Sequence, residues 1–368
     1  MNILVLATDY PKPNGYVASY FIHIRNKAYL SSGVEVTVIN FNSNESYTID
    51  GVNVISVKDY KKFYSTKEFD MLLSHAPNIR NHYRFLKKYG GRFKDIIFFF
   101  HGHEVLKTNE VYPTPYSYSK KRINLVVYLQ NLYDEFKFIL WRKYYHQIAN
   151  KSQFVFVSKW MYDMFFKYIN IEEERLSKRS HIIYNCVGEN FQTQTYLKDT
   201  AKKYDFITIR NILDNSKYGI DVVSKIAETN PQYRFLLVGR GNYFKHNSKP
   251  NNLDLIDKHL SHQEIIDYLN MSRCALMPTR ADAQGLMMCE MATFGIPVIT
   301  SDIPVCHEVM SVFPNVRFIN NNSTRIEITN IYEKLKDSED NHKIDKYFDR
   351  ETMGKEIELF NKLRGITK

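Results

Sequence analysis

The chain alternates short, nearly continuous apolar runs with longer stretches whose apolar residues recur at helical spacing. Runs of the first kind read as strands buried on both faces, and stretches of the second kind as helices laid over them. In the first half, strands are expected at Asn2 to Thr8, Val34 to Asn40, Val52 to Val57, Asp70 to His75, Asp95 to His101, Gln153 to Ser158 and His181 to Tyr184. A helix from about Tyr16 to Ser31, stopped by Gly33, joins the first two strands. This βαβ opening predicts a parallel, doubly wound sheet, whose ligands bind at the carboxyl ends of its strands. A polar segment, Gly188 to Lys203, precedes a second series with strands at Tyr204 to Ile209, Tyr233 to Val238, Arg273 to Met277, Ile296 to Thr300 and Asn315 to Ile319. Helices fall near Gly219 to Glu228, Gln263 to Met271, Leu286 to Phe294 and Thr324 to Lys336. The pattern therefore predicts two α/β domains, 1–190 and 200–345, followed by a tail, 346–368, with a helix around Thr352 to Leu363.

The most informative stretch runs from Arg273 to Asp302 and reads as strand, loop, helix, strand. Pro278 ends the first strand; Gly295 suits a left-handed residue just past the helix, and Pro297 forbids continuation. Asp282 and Glu290 straddle the start of that helix, with Gly285 between them and Leu286 as its first residue. The unpaired N–H groups of a first helical turn and the positive end of its dipole make an anion site, and Gly285 lets a ligand approach the backbone. Glu290 lies about one turn further in, and helical side chains lean back toward the N-terminus, so its carboxylate can reach a hydroxyl attached to that anion. A phosphate flanked by two hydroxyl-binding carboxylates describes a nucleotide sugar. The competing reading makes Asp282 a helix cap and Glu290 a solvated surface residue.

The pattern Thr-Arg-x-Asp-x-x-Gly-x-x-x-x-Glu-x-x-x-x-Gly-x-Pro-Val, from Thr279 to Val298, resembles the donor-site signature of the retaining glycosyltransferases of family 4, which normally show Glu-x7-Glu here. That resemblance implies the GT-B fold, two Rossmann-like domains facing across a cleft, with the last helix crossing back to the first domain. It implies that Asp282 holds hydroxyls of the transferred sugar and Glu290 the ribose. Asp in place of Glu shortens the first arm by one methylene. Arg210, after a strand, and Lys217, opening the next helix, resemble the family's diphosphate-binding Arg and Lys, although Ile209 stands where the family has Gly. Two cations there suit a leaving group whose charge grows as the glycosidic bond breaks. Gly239, in Val-Gly-Arg-Gly, is either a donor contact or a plain turn. Glu308 matches a family position of uncertain role.

In the first domain, His75 and His101 each end a strand. A histidine so placed is commonly a satisfied structural residue, but the resemblance gives His101 contact with the transferred sugar. Gly15, in Pro-Asn-Gly, takes the place of a family glycine pair that approaches the phosphate. No Asp-x-Asp occurs, so no metal or other cofactor is expected. The resemblance implies a donor that carries uracil, with guanine as the alternative.

Composition narrows the partners. The chain has 368 residues, 44% hydrophobic and 24% charged, enough for two globular domains, with no apolar run long enough for a membrane span and no basic leader. Four cysteines, Cys186, Cys274, Cys289 and Cys306, lack metal-ligand spacing and are expected as reduced thiols. The net charge is +10, and residues 1–198, with 27 Lys and Arg against 17 Asp and Glu, carry all of that excess. Tyr112 to Ala149, with Lys120-Lys-Arg122 and a helix rich in Tyr, Phe and Trp, joins His82 to Tyr89 as a basic, aromatic surface suited to an acidic bilayer. The alternative is a core helix with ordinary solvated charges. Nucleic acid is not expected, since no recognition module is present.

The resemblance implies a retaining hexosyltransferase of the bacterial surface polysaccharide or glycolipid class, and with the basic, aromatic first domain the expectation is a cytoplasmic protein, peripheral at the inner face of the membrane. It would use a nucleotide diphosphate sugar and a saccharide or lipid-linked acceptor. A non-catalytic GT-B subunit and an epimerase on the same fold are the alternatives.

Overall fold

The computed structural model describes residues 1–15, 18–119, 124–323, 326, 328–336 and 343–366. The chain forms two compact units. The first contains Met1–Lys107, Asn131–Cys186 and Asp349–Lys368, and the second Thr108–Gln130 and Val187–Phe348.

In the first unit, β1 (Asn2–Ala7), α1 (Tyr20–Ser31) and β2 (Glu35–Asn40) form the opening βαβ. The short β3 (Tyr47–Ile49) and β4 (Val52–Ile55) follow, then β5 (Met71–His75), α2 (Arg84–Tyr89), β6 (Asp95–Phe100), α3 (Asn124–Ile148, of which the first turns, to Gln130, belong to the second unit), β7 (Ser152–Phe156), α4 (Lys159–Ile169) and β8 (Ser180–Ile182). The sheet order is β3-β4-β2-β1-β5-β6-β7-β8. All pairs are parallel except β3 with β4. The apolar runs of β1, β5 and β6 are buried because helices cover both faces. Order reverses between β1 and β5, which places a switch point beside the loops after those strands.

In the second unit, β9 (Tyr204–Ile212), α5 (Ile220–Thr229), β10 (Phe235–Arg240), β11 (Leu253–Ile256), α6 (His262–Asn270), β12 (Ser272–Met277), α7 (Leu286–Phe294), β13 (Val298–Ser301), α8 (Pro304–Met310), β14 (Val316–Ile319) and α9 (Ile328–Lys336) form a six-stranded sheet with its helices. Its order is β11-β10-β9-β12-β13-β14, parallel throughout. This is the Rossmann order, with its switch point between β9 and β12. A final helix, α10 (Met353–Leu363), packs in the first unit: Phe360 meets Tyr29 edge-on at 5.2 Å, and Glu356 accepts from Arg25 Nε at 3.0 Å.

Several expectations need correction. Residues 108–130 belong to the second unit, not to a domain 1–190. Their attachment is both packed and hydrogen-bonded: Tyr116 meets the Tyr243 ring at 4.9 Å and donates to Asp221 Oδ1 at 2.9 Å, and Tyr118 stacks on His246 at 4.4 Å and donates to Asp214 Oδ1 at 2.8 Å. The aromatic surface expected around α3 is half core. Phe138, Trp141, Tyr144 and Tyr145 are buried, with Trp141 stacked on Tyr145 at 5.1 Å, while Lys137 is buried against Asp134 at 2.9 Å. His82 and Phe85 are buried as well. The outward face instead carries Leu125, Leu129, Leu132, Phe136 and Ile139, all about half exposed or more. Lys120 to Arg122, Tyr16 and Thr324 lie outside the described residues. Among the described residues no helix is long and apolar enough to cross a membrane, and all four cysteines are buried free thiols.

Candidate functional site

The loop between β12 and α7 is built by the residues that made the stretch legible. Asp282 Oδ1 accepts the N–H groups of Ala283 at 2.8 Å and Gly285 at 2.9 Å, folding the chain into a tight turn. Gly285 leaves that turn at φ 70°, ψ 55°, a left-handed backbone that favours glycine, and a Cβ there would meet only the flexible end of Met288. Helix α7 starts on it. Met288 N–H and Cys289 N–H both bond Gly285 O, whereas the N–H groups of Leu286 and Met287 find no protein acceptor among the described residues. Two such groups at the start of a nine-residue helix attract an anion.

Two cations share this end of the sheet. Arg210 was expected just after its strand but lies within it, since β9 continues to Ile212. Its side chain is buried; Nη2 donates to Pro278 O at 2.7 Å, and Nε has no partner. Burial pushes its pKa down, and the negative charge of Asp282 offsets that only in part. Lys217 sits in a 3-10 turn, Ser216–Tyr218, ahead of α5 rather than inside it. The Arg210 guanidinium carbon is 5.0 Å and the Lys217 Nζ 4.7 Å from the centroid of the Tyr218 ring. Among the described residues, neither cation has a carboxylate within ion-pair distance.

Glu290 is buried, and its Oε1 accepts the Gly188 N–H at 3.1 Å. Burial raises its pKa to about 7, the Gly188 hydrogen bond pulling the other way. Three residues, Arg280, Tyr218 and Gly188, went unrecognised in the sequence. Arg280 pairs bidentately with Asp221 at 2.8 and 2.6 Å and donates to Ser216 O at 2.9 Å, binding the Asp282 loop to the Lys217 turn. Tyr218 carries both cations, and Gly188 holds Glu290. Arg280 lay in plain view between Thr279 and Asp282; Gly188 had no signal beyond being a glycine. Gly239 was left open between donor contact and turn. A Cβ there would fall 2.1 Å from Arg210 O, so its glycine permits β10 to pass the end of β9 and thereby seats Arg210. Glu308 is half-buried on α8. A pocket of about 360 Å³ lies elsewhere, at the carboxyl end of α7 around Phe294, Tyr196, Tyr332 and Lys343. The Lys343 ammonium there is already bonded to the carbonyls of Phe191 and Gln194 at 2.6 and 2.5 Å.

In the first unit, Gly15 closes an exposed turn at φ 85° by donating to Lys12 O at 3.1 Å. His101 follows β6, its N–H and that of Gly102 both donating to Glu104 Oε1. Its ring lies 4.4 Å from that of Phe21, and its Nε2 is 3.1 Å from His75 Nδ1.

Residues 197–350 match the model of the family described as glycosyl transferases group 1, a span that includes Arg210, Lys217, Asp282 and Glu290. Among curated proteins, the O-antigen biosynthesis glycosyltransferase WclY of Escherichia coli is 30% identical over 167 residues, covering 41% of this chain and 46% of that protein. The chain thus spans about half the length of the curated relatives it matches. Among solved structures, sucrose-phosphate synthase from Thermosynechococcus elongatus matches 100% of both chains at a TM-score of 0.72 and 11% identity. Anabaena HepE, in complex with UDP and glucose, matches 98% of each chain at 0.66 and 13%. At such identities the likeness is one of fold, and the fold of this chain is GT-B, built from two Rossmann-like α/β units.

Proposed function

We propose that the chain is a retaining glycosyltransferase, moving a hexosyl group from a nucleotide diphosphate sugar to a saccharide or lipid-linked acceptor in surface polysaccharide or glycolipid synthesis. The observation that carries this reading is Arg210: a buried guanidinium that, among the described residues, has no carboxylate within ion-pair distance and only the more distant charge of Asp282 to offset it, at the same end of the sheet as Lys217 and the unpaired N–H groups of α7. Retaining a buried, uncompensated cation is costly unless an anion completes it, and a diphosphate supplies that charge. As the bond from the anomeric carbon to the phosphate oxygen breaks, negative charge grows on the diphosphate, and these donors stabilise it without a metal. Glu290 accepts the ribose hydroxyls. Asp282 reaches sugar hydroxyls through Oδ2, since Oδ1 is committed to the turn. Retention and front-face attack, with the leaving phosphate helping to deprotonate the acceptor, rest on the family resemblance, as do the contact of His101 with the sugar and that of Gly15 with the phosphate. Uracil is the proposed base, with guanine second.

The acceptor side of the proposal is a peripheral position at the inner, anionic face of the cell membrane, with the outward stripe of α3 entering the interface and no role for nucleic acid. The test is nucleoside diphosphate release from a panel of uridine and guanosine sugars, with and without an anionic lipid-glycan extract, beside Glu290→Ala. Release from one donor that rises with the extract and disappears in the variant supports transfer. No release from any donor by folded protein favours a non-catalytic subunit instead.

A further inference from the structure

The pairing of His101 with His75 sets which ring nitrogen His101 offers to a ligand. His75, at the end of β5, is 1% exposed and stacks on Phe99 at 4.2 Å, so its ring has one orientation. Its Nδ1 faces His101 Nε2 at 3.1 Å, and its own Nε2 is buried with no partner. Burial and the nearby Arg25 charge hold both rings neutral. Two neutral imidazoles meeting nitrogen to nitrogen share one N–H, which leaves two arrangements. If His101 donated, the His75 proton would sit on Nε2, a buried N–H with no acceptor, beneath the field of a cation. If His75 donates from Nδ1, its Nε2 is a bare lone pair, which an arginine's field stabilises. Orphaned buried N–H groups are also rarer than under-used acceptors.

We propose that His75 is a positioning residue that donates to His101 Nε2, so that His101 carries its proton on Nδ1 and presents a hydrogen-bond donor to a ligand oxygen. His101 Nδ1 is not among the buried unpartnered atoms, so it remains reachable. In the glycosyltransferase reading, on which the ligand's identity rests, that oxygen is a hydroxyl of the transferred sugar, and His101 is a donor rather than a resting base.

Long-range proton–nitrogen correlation spectra of protein with 15N-labelled histidine test this directly. Wild-type His101 should show a protonated Nδ1 and a bare Nε2. His75→Asn, whose amide nitrogen stands near the position of the ring Nδ1, should keep that pattern, and His75→Phe should let His101 revert to the Nε2–H form common in water. A wild-type His101 protonated on Nε2, or spectra unchanged in His75→Phe, overturns the proposal. With a donor sugar that turns over, His75→Phe should lower kcat roughly tenfold to hundredfold with KM unchanged, and His75→Asn should recover most of it. Absence of any turnover would count against the glycosyltransferase reading and leave the tautomer result standing.

Discussion

Arg25 in the first unit and Arg210 in the second are buried to a similar depth, 1% and 6% exposed, yet their surroundings are opposite. Arg25 donates to Glu356 at 3.0 Å and Asn185 at 2.8 Å, and Tyr29 donates to the same glutamate. Glu356 and Tyr29 outweigh burial and raise its pKa. Arg210 has one carbonyl, an aromatic ring and, among the described residues, no carboxylate in contact, and burial lowers its pKa. A cation whose charge is matched by its own chain ties elements together, here α1 to α10. Under the proposed function, a cation left incomplete takes its charge from the bound diphosphate.

The largest effect expected from this contrast is on stability. Arg25→Ala strands Glu356 in the core and should cost the first unit about 3–5 kcal/mol in urea unfolding. Replacing the pair together, Arg25→Met with Glu356→Leu, should recover most of that, because an apolar pair leaves no unpaired charge. Arg210→Met should behave in reverse. Donor kcat/KM should fall by about 10²–10³, while the thermal midpoint holds or rises, since an uncompensated buried cation has been removed. A large loss of stability with nucleotide affinity intact would make Arg210 structural and end the comparison.

The carboxylates divide in the same way. Glu356 has its arginine, whereas among the described residues Glu290 has only the Gly188 N–H. Its pKa in the folded chain, about 7 against an ordinary 4.5, lies above the unfolded value. The folded state therefore binds more protons between those values, so stability should fall as pH rises from about 4.5 to 7, by roughly 3 kcal/mol in all. Glu290→Gln should flatten that slope. Nucleotide affinity should move the other way, rising from pH 6 to 8 as the carboxylate ionises and can accept ribose hydroxyls. A pH-independent nucleotide affinity, measured by calorimetry, would remove Glu290 from the site.

What the sequence revealed of this contrast followed from chain punctuation. Gly285, Gly295 and Pro297 bound one helix tightly enough to place Asp282 and Glu290 at its start, and long apolar runs are hard to read as anything but parallel strands. The rest depended on partners far apart in sequence. Tyr116 and Tyr118 bond Asp221 and Asp214, about a hundred residues on, so their segment joins the second unit. The composition of α3 announced aromatics and cations but not which would face inward. Trp141 and Tyr145 fill the core while Leu132 and Phe136 face out, an inversion that periodicity alone does not decide. The pairing of His75 with His101 likewise exists only because β5 and β6 are neighbours.

The smallest expected effect is the sharpest check on why Arg210 tolerates its burial. Tyr218 presents its ring to both Arg210 and Lys217, at 5.0 and 4.7 Å, and such contacts contribute about 0.5–2 kcal/mol each depending on desolvation. If the ring stands in for a counter-ion in the empty site, Tyr218→Leu should lower the stability of the free protein by about 1 kcal/mol. The same variant with saturating nucleoside diphosphate should lose less, because the diphosphate then supplies the compensation. Equal losses with and without nucleotide, followed by thermal unfolding, would mean that the ring merely packs against the arginine stem. In that case the incomplete charge of Arg210 is supported by nothing in the free protein, and its demand for an anion is stronger still.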